Sequence, residues 1–417
     1  MIKVGFLGFG TVNSGVYEGI SDSLQYLEQL LQEKICISKI LVRDKKRYTN
    51  ESLKDILTDC PEQFFNEQYD VVFEAMGGEQ PALKYTSILL AKKIPVITAN
   101  KELIAKHGQL LESIANKSET FIGYEATVAG GIPIINTLRS QLQWTAVNKV
   151  SGILNGTTNY IISKLKSGDR TFASVLKEAQ QLGFAESDPT ADIEGFDALY
   201  KLQILCKLCF GTWANDETFY RKGMSHLESW NFNVGSNFGL KLKYIAEAYY
   251  DGKRVQGSIT PCYVDEKHPL ASIEDENNGV YIQGDWLGNF LTSGPGAGKK
   301  PTATSMIEDY LHQLLKKGGD QEVTKRMKAS ASTEKEFIIL YSKKVEKDVY
   351  ERLKEVTYTI DKNIRYEDIE KVAVSITGSR EIFALFNEHD EVQVFPVLRV
   401  NPVTSDAKYL SNELKIV

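Results

Sequence analysis

The 417-residue chain contains no apolar run near the roughly 20 residues a membrane-spanning helix requires, so no membrane partner is expected. Its five cysteines are odd in number and scattered, which excludes a disulfide framework and reads as reduced thiols of a cytoplasmic protein. Cys206 and Cys209 form a C-x-x-C, but it sits inside the apolar run 202–210 with no second Cys or His pair to complete a zinc site. The five histidines supply no H-x-x-x-H pair. Nor is there an excess of basic charge. The net charge of −6 and the absence of a basic stripe exclude a nucleic-acid partner from the expectations. A strand pattern begins at residue 2, which speaks against a cleaved signal peptide. At 42% hydrophobic and 25% charged residues, the remainder is ordinary for a soluble globular protein, and its length suits two to four domains.

What is present begins with a nucleotide cradle. The apolar strand 2–7 runs directly into Gly8-Phe-Gly-Thr-Val-Asn-Ser-Gly15, and a helical pattern follows through Val16, Ile20, Leu24 and Leu27. Strand, glycine turn and helix in that order are the setting of a dinucleotide fingerprint. Gly8 permits the tight turn, and Gly10 lets a pyrophosphate approach the N–H groups of a helix start. Asn13 stands where the third glycine of G-x-G-x-x-G is expected, leaving close packing of the helix on the sheet less assured. The second strand, 35–42, ends in Arg43-Asp44 with Lys45, Lys46 and Arg47 beyond. Arginine at that strand end suits a ribose 2′-phosphate, so NADP(H) is expected over NAD(H). Strands at 69–74, 95–99 and 120–124 alternate with helices at 80–92 and 102–111, which predicts a parallel sheet with ligands at the carboxyl ends.

A second concentration of chemistry lies at 183–201, Gly-Phe-Ala-Glu-Ser-Asp-Pro-Thr-Ala-Asp-Ile-Glu-Gly-Phe-Asp-Ala-Leu-Tyr-Lys. Asp197 and Lys201 are four apart on a predicted helix, where their side chains can meet. Alone, this reads as a solvated helix start with a weak ion pair. Three further stretches change that reading: Thr98-Ala-Asn-Lys101 at a strand end, Tyr124-Glu-Ala-Thr-Val-Ala-Gly-Gly-Ile-Pro133, and Asn155-Gly-Thr-Thr-Asn159. With Ser293-Gly-Pro-Gly-Ala-Gly298, these motifs make the sequence resemble homoserine dehydrogenase, in order over about residues 1–315.

The resemblance implies NAD(P)H-dependent reduction of L-aspartate 4-semialdehyde to L-homoserine, on the branch leading to threonine, methionine and isoleucine. It makes Lys201 the proton donor and Lys101 a second active-site lysine. Glu186 and Asp197 become substrate ligands, Asp197 through the ammonium group; Asp192, in the same acidic segment, is read beside them as a further substrate-binding candidate and a supporting partner for the lysines. Gly10, Thr11, Val12, Lys101, Gly183 and Gly298 fall at cofactor positions, to which the fingerprint adds Gly8 and the end of the second strand adds Arg43 for the 2′-phosphate. Glu125 and the carbonyls of Val128, Gly130 and Ile132 correspond to a structural Na⁺ site, and the family commonly forms homodimers or homotetramers.

Read from the residues alone, carbonyl reduction needs a group that meets the developing alkoxide, and a protonated lysine supplies one. In the reverse oxidation a lysine must lose its proton, which Lys101 would favour by repulsion and Asp197 oppose by attraction. No cysteine sits where a thiohemiacetal nucleophile would, which argues against an acylating aldehyde dehydrogenase. Another small-substrate dehydrogenase and a redox-sensing nucleotide-binding protein stay open as alternatives.

The expected architecture is α/β. A Rossmann-type parallel sheet spans 1–140 and is completed by about 291–317. An α+β substrate and dimerisation domain spans 141–290, with strands at 147–154, 255–264 and 280–284, and with 240–249 read as a helix. A polar linker at 318–335 leads to a ferredoxin-like domain at 336–417, with strands at 337–341, 358–360, 372–377 and 392–400. This last domain resembles an ACT domain, a binder of amino-acid effectors such as threonine. Its usual Asp-x-Pro-Gly turn is replaced by Ser342-Lys-Lys-Val345, so effector binding and a purely structural role both stay open.

Overall fold

The computed structural model describes residues 1–166, 170–315, 325, 327–329, 335–366, 369–387 and 389–400. Most of the expected linker 318–335 and the tail 401–417 lie outside the described residues.

Strands β1 (Ile2–Leu7), β2 (Ile35–Leu41), β3 (Leu57–Thr58), β4 (Val71–Glu74), β5 (Val96–Thr98) and β6 (Ile122–Gly123) form a parallel sheet in the order β3-β2-β1-β4-β5-β6. β4 and β5 are buried along their whole length, as near-continuous apolar strands between two helical layers must be. The order reverses between β1 and β4, which opens a ligand crevice at their carboxyl ends. The expected parallel sheet is therefore present. Its first helix stops at Asp22 and restarts as Leu24–Leu31 rather than running on through Leu27.

The second sheet is mixed. β7 (Val147–Ile153), β8 (Phe219–Arg221), β9 (Leu240–Tyr250), β10 (Val255–Asp265), β11 (Asn277–Gly284) and β12 (Gly288–Pro295) assemble as β12-β11-β7-β9-β10, with β8 also on β10. Residues 240–249, expected to be helical, are strand β9. Leu242, Ile245, Ala246 and Tyr249 mimic a helical stripe, but the strand is central and buried on both faces, so its apolar residues need not alternate. Asp251-Gly252, with Gly252 at φ +98°, lies in the turn that closes its hairpin with β10.

β13 (Lys335–Ser342), β14 (Tyr358–Tyr366), β15 (Lys371–Gly378) and β16 (Val392–Leu398) pair antiparallel in the order β16-β13-β15-β14, with helices Glu346–Leu353 and Ile382–Leu385 between them. This is the ferredoxin-like arrangement the sequence rhythm predicts. Sequence reading did not foresee that β16 also pairs in parallel with β10, Tyr263 opposite Val397, which joins the two sheets into ten strands among the described residues. Buried Glu247 of β9 sits between Lys149, at 2.5 Å, and Lys335, and Tyr220 of β8 stacks on Phe383 at 4.2 Å.

Candidate active site

The glycine turn after β1 has the shape the fingerprint requires. Gly8 has φ +82°, and a Cβ there would lie 2.9 Å from the carbonyl oxygen of Ala75. Gly10 faces open space, and helix Thr11–Asp22 starts without a side-chain cap, so its first N–H groups are free for an anion at the crevice. Asn13 does not loosen this helix. It is fully buried, and its Nδ2 is shared among the carbonyls of Leu7, Gly8 and Phe73 at 3.0, 2.8 and 3.2 Å, which ties the turn to β1 and β4. Close helix contact has moved to Gly15, where a Cβ would lie 3.1 Å from Ala303 of the helix Lys299–Leu315. Gly298, at φ +111°, immediately precedes that helix. Exposed Arg43 follows β2, and Tyr48 of the same loop donates to the Phe9 carbonyl at 3.0 Å, which holds the loop beside the glycine turn.

The acidic segment and the lysines converge next to this crevice. Asn100 ends the β5 turn and caps helix Lys101–Lys117 by accepting from the Leu103 N–H at 3.1 Å, which places Lys101 at the helix start. Gly195, at φ +80°, starts helix Phe196–Phe210 and places Asp197 in its first turn and Lys201 in its second. Asp197 Oδ1 lies 2.5 Å from Lys101 Nζ, and its Oδ2 lies 2.8 Å from Lys201 Nζ. Lys201 also donates to the Leu154 carbonyl at 2.6 Å. Asn155 donates to Asp192 at 2.7 Å and to Asp197 at 2.9 Å. Four of the sequence-predicted residues, Lys101, Asp192, Asp197 and Lys201, thus form one cluster. Glu186 is exposed at its edge, close enough for its charge to act on Lys101. Gly183, at φ +80°, follows helix Phe172–Gln181 with open space around it.

The two lysines differ electrically. Burial pushes Lys201 below its ordinary value more strongly than Asp197 pulls it up, and Lys101 lowers it further. Half-buried Lys101 is raised, chiefly by the charge of Asp197. Burial alone would raise Asp197, but Lys101, then Lys201 and the Asn155 amide, hold it well below the usual carboxylate range. The competition that sequence could not decide is settled by a contribution it could not see, namely desolvation of Lys201.

Comparison with known proteins bears on both regions. The family model for the homoserine dehydrogenase NAD-binding domain matches residues 8–125, and that for homoserine dehydrogenase matches residues 133–311. A homoserine dehydrogenase of Bacillus subtilis (strain 168) is 39% identical over 312 residues, 74% of this chain and 72% of that protein. The chain belongs to the homoserine dehydrogenase family. It is an oxidoreductase acting on the CH–OH group of homoserine, with an NAD(P)-binding domain at its N-terminal end. The homoserine dehydrogenase structure from Thiobacillus denitrificans superposes with a TM-score of 0.83 at 28% identity, covering 96% of this chain and 99% of that one. A Staphylococcus aureus homoserine dehydrogenase structure gives 0.79 at 30% identity, over 96% and 99%.

In this homoserine dehydrogenase fold the expected ion site is a buried acidic corner. Glu125 accepts from the backbone N–H groups of Ile135 and Asn136 at 2.8 and 2.6 Å, and its own N–H donates to Asp309 at 3.0 Å. Burial first, then the Asp309 charge, push Glu125 up to about 7. Gly130, at φ +51°, packs so closely on Gly296 that a Cβ would come within 2.5 Å. The Gly130 carbonyl accepts from Ser305 at 2.6 Å and that of Ile132 from the Ile134 N–H at 2.8 Å. Cys206 and Cys209 are buried core residues, as expected, with thiols pushed up by burial. Among the described residues no helix is long and apolar enough to cross a membrane. Sequence reading missed the active-site contacts of Leu154 and Asn155. The available signal was an asparagine between a strand and a helix start, a common N-cap position.

Proposed function

We propose that the chain interconverts L-aspartate 4-semialdehyde and L-homoserine with NADP(H) in preference to NAD(H), with Lys201 giving and taking the proton at the substrate oxygen. The observation that carries this reading is Asp197 gripping two lysines of opposite tendency, Lys101 raised and Lys201 lowered. Lys101 stays a fixed cation facing the developing alkoxide, while Lys201 can lose its proton at lower cost than a free lysine. Both oxygens of Asp197 are engaged by lysines, so its first task is to hold them in place. Exposed Glu186 is then the carboxylate with a free face for the substrate ammonium, and Asp192 supports the cluster through Asn155.

Gly8, Gly10, Thr11 and Val12 would cradle the pyrophosphate, with Gly298 and Gly183 as further backbone approaches and Arg43 for a 2′-phosphate. When bound, the cofactor supplies the hydride. L-Homoserine should drive reduction of NADP⁺ faster than of NAD⁺ in a spectrophotometric assay. Arg43→Asp should lower kcat/KM for NADP⁺ by about 10- to 100-fold, the loss of one charge-assisted hydrogen bond. Unchanged cofactor preference in that variant removes Arg43 from the reading, and no turnover of homoserine by the parent chain removes the substrate assignment.

The acidic corner fits a structural Na⁺. Glu125 and the carbonyls of Val128, Gly130 and Ile132 are hard oxygen donors, and burial pushes Glu125 and Asp309 up even with the Arg139 charge acting on both. The C-terminal β-α-β-β-α-β unit is read as an ACT-like regulatory domain, and the protein as a cytoplasmic homodimer or homotetramer. Threonine should slow the full-length enzyme, and Tyr220→Ala should weaken the response because that ring connects β8 to the Ile382–Leu385 helix. A rate independent of threonine in both proteins leaves the domain a structural role.

A further inference from the structure

Asn155 lies where strand β7 hands over to helix Gly156–Leu165, and its side chain is fixed at both ends. Its Oδ1 accepts from the Thr158 N–H at 2.8 Å, the helix cap. That bond orients the amide and turns Nδ2 toward the acidic cluster, where one hydrogen goes to Asp192 Oδ1 and the other to Asp197 Oδ2. The Asp197 Oδ2 atom is the same oxygen that accepts from Lys201 Nζ. The preceding residue contributes the Leu154 carbonyl, which accepts from Lys201 as well. Asn155, Asp197 and Lys201 are all buried, so these contacts are not diluted by water.

We propose that Asn155 is a positioning residue for the proton-transfer step, a neutral amide that holds Asp192 and Asp197 in register and withdraws part of the Asp197 charge from Lys201. The proposal rests on the reading of Lys201 as the acid–base group. Only an amide meets the local demand. Two carboxylates need two hydrogens, and the helix needs an acceptor. A serine or threonine hydroxyl offers one hydrogen, and a cationic side chain would add a third positive charge beside the two lysines. A carboxylate would add a third negative charge.

The groups facing Lys201 are Asp197 on its own helix, Lys101 from helix Lys101–Lys117, Asp192 from the turn Thr190–Ile193, and the Leu154 carbonyl of the β7 end. Glu186 acts on Lys101. Without the Asn155 amide, Asp197 binds the Lys201 proton more tightly, and homoserine oxidation must wait for higher pH. Loss of the bond to Asp192 favours protonation of that carboxylate and works the other way. Asp197 touches Lys201 directly and dominates.

The test is kcat for homoserine oxidation against pH, with thermal unfolding measured alongside. Asn155→Ser keeps a competent helix cap and removes the double donor. Its acidic limb should move up by about one pH unit, with kcat near neutral pH falling about tenfold and KM changing much less. Asn155→Asp keeps the cap, adds a charge and should move the limb further in the same direction. A limb that stays in place in both variants, with kcat within twofold or with only the melting temperature lowered, makes Asn155 a helix cap and overturns the proposal. Near-native turnover by Lys201→Ala overturns the underlying reading instead, so the two failures are distinguishable.

Discussion

Lys201→Ala should lose about 10² to 10⁴ in kcat, the range removed with a general acid–base group, while NADPH binding by fluorescence titration stays close to that of the parent. The expectation comes from how the ammonium is held. Lys201 reaches its place through a helix turn started at Gly195, and its head group is fixed by Asp197 at 2.8 Å and the Leu154 carbonyl at 2.6 Å. Alanine removes a placed donor from a buried site. The cofactor cradle is built from β1 and the start of helix Thr11–Asp22, whereas Lys201 is held by Asp197 and the Leu154 carbonyl, so binding at the cradle should persist. The pH profile of the parent should carry the same signature. Because burial lowers Lys201 in the folded enzyme, the acidic limb of homoserine oxidation should fall below the ordinary lysine pKa of about 10.4. Near-native turnover in the alanine variant, or a limb at the free-lysine value, would remove Lys201 from the proton-transfer step.

Much of this arrangement was legible because the residues carrying it are local in sequence. Gly8 and Gly10 follow a strand, Lys101 follows a strand, and Asp197 and Lys201 are one helical turn apart. What escaped depends on contacts distant in sequence. Asn13 looks like a defect of the glycine motif until the carbonyls of β1 and β4 are placed beside it, and Gly15 matters only once the helix Lys299–Leu315 lies across it. The apolar positions of strand β9 match both the helical and the strand period, and only its place between β7 and β10 settles the choice. The pairing of β16 with β10 has no sequence signature, since two matched residue pairs in a parallel contact leave no pattern. The weakening of Lys201's hold on its proton is of the same kind. Spacing identifies its partners, but burial comes from the surrounding fold.

Asp197→Ala should affect stability as well as rate, and by more than a surface ion pair would. Asp197 is 5% exposed, and removing it leaves buried Lys201 without its counter-charge, a change that costs about 3–5 kcal/mol when one member of a buried pair is lost. The bond to Lys101 adds less, because that side chain is 42% exposed and partly screened by solvent. The pH dependence separates the two effects. Asp197 titrates lower in the folded state than in the unfolded chain, so its stabilisation is present above the unfolded carboxylate value of about 3.9 and fades only as pH falls through the lower folded value. The difference in denaturation midpoint between parent and Asp197→Ala should therefore be full at neutral pH and narrow in strong acid. Asp197→Asn keeps the shape and its one amide oxygen can still accept from one lysine, so it should recover part of the stability while kcat stays low, because only one of the two lysines is then held in place. A variant that unfolds like the parent at neutral pH would show that Asp197 is no anchor for the lysines, and the substrate ammonium would then become its more natural partner.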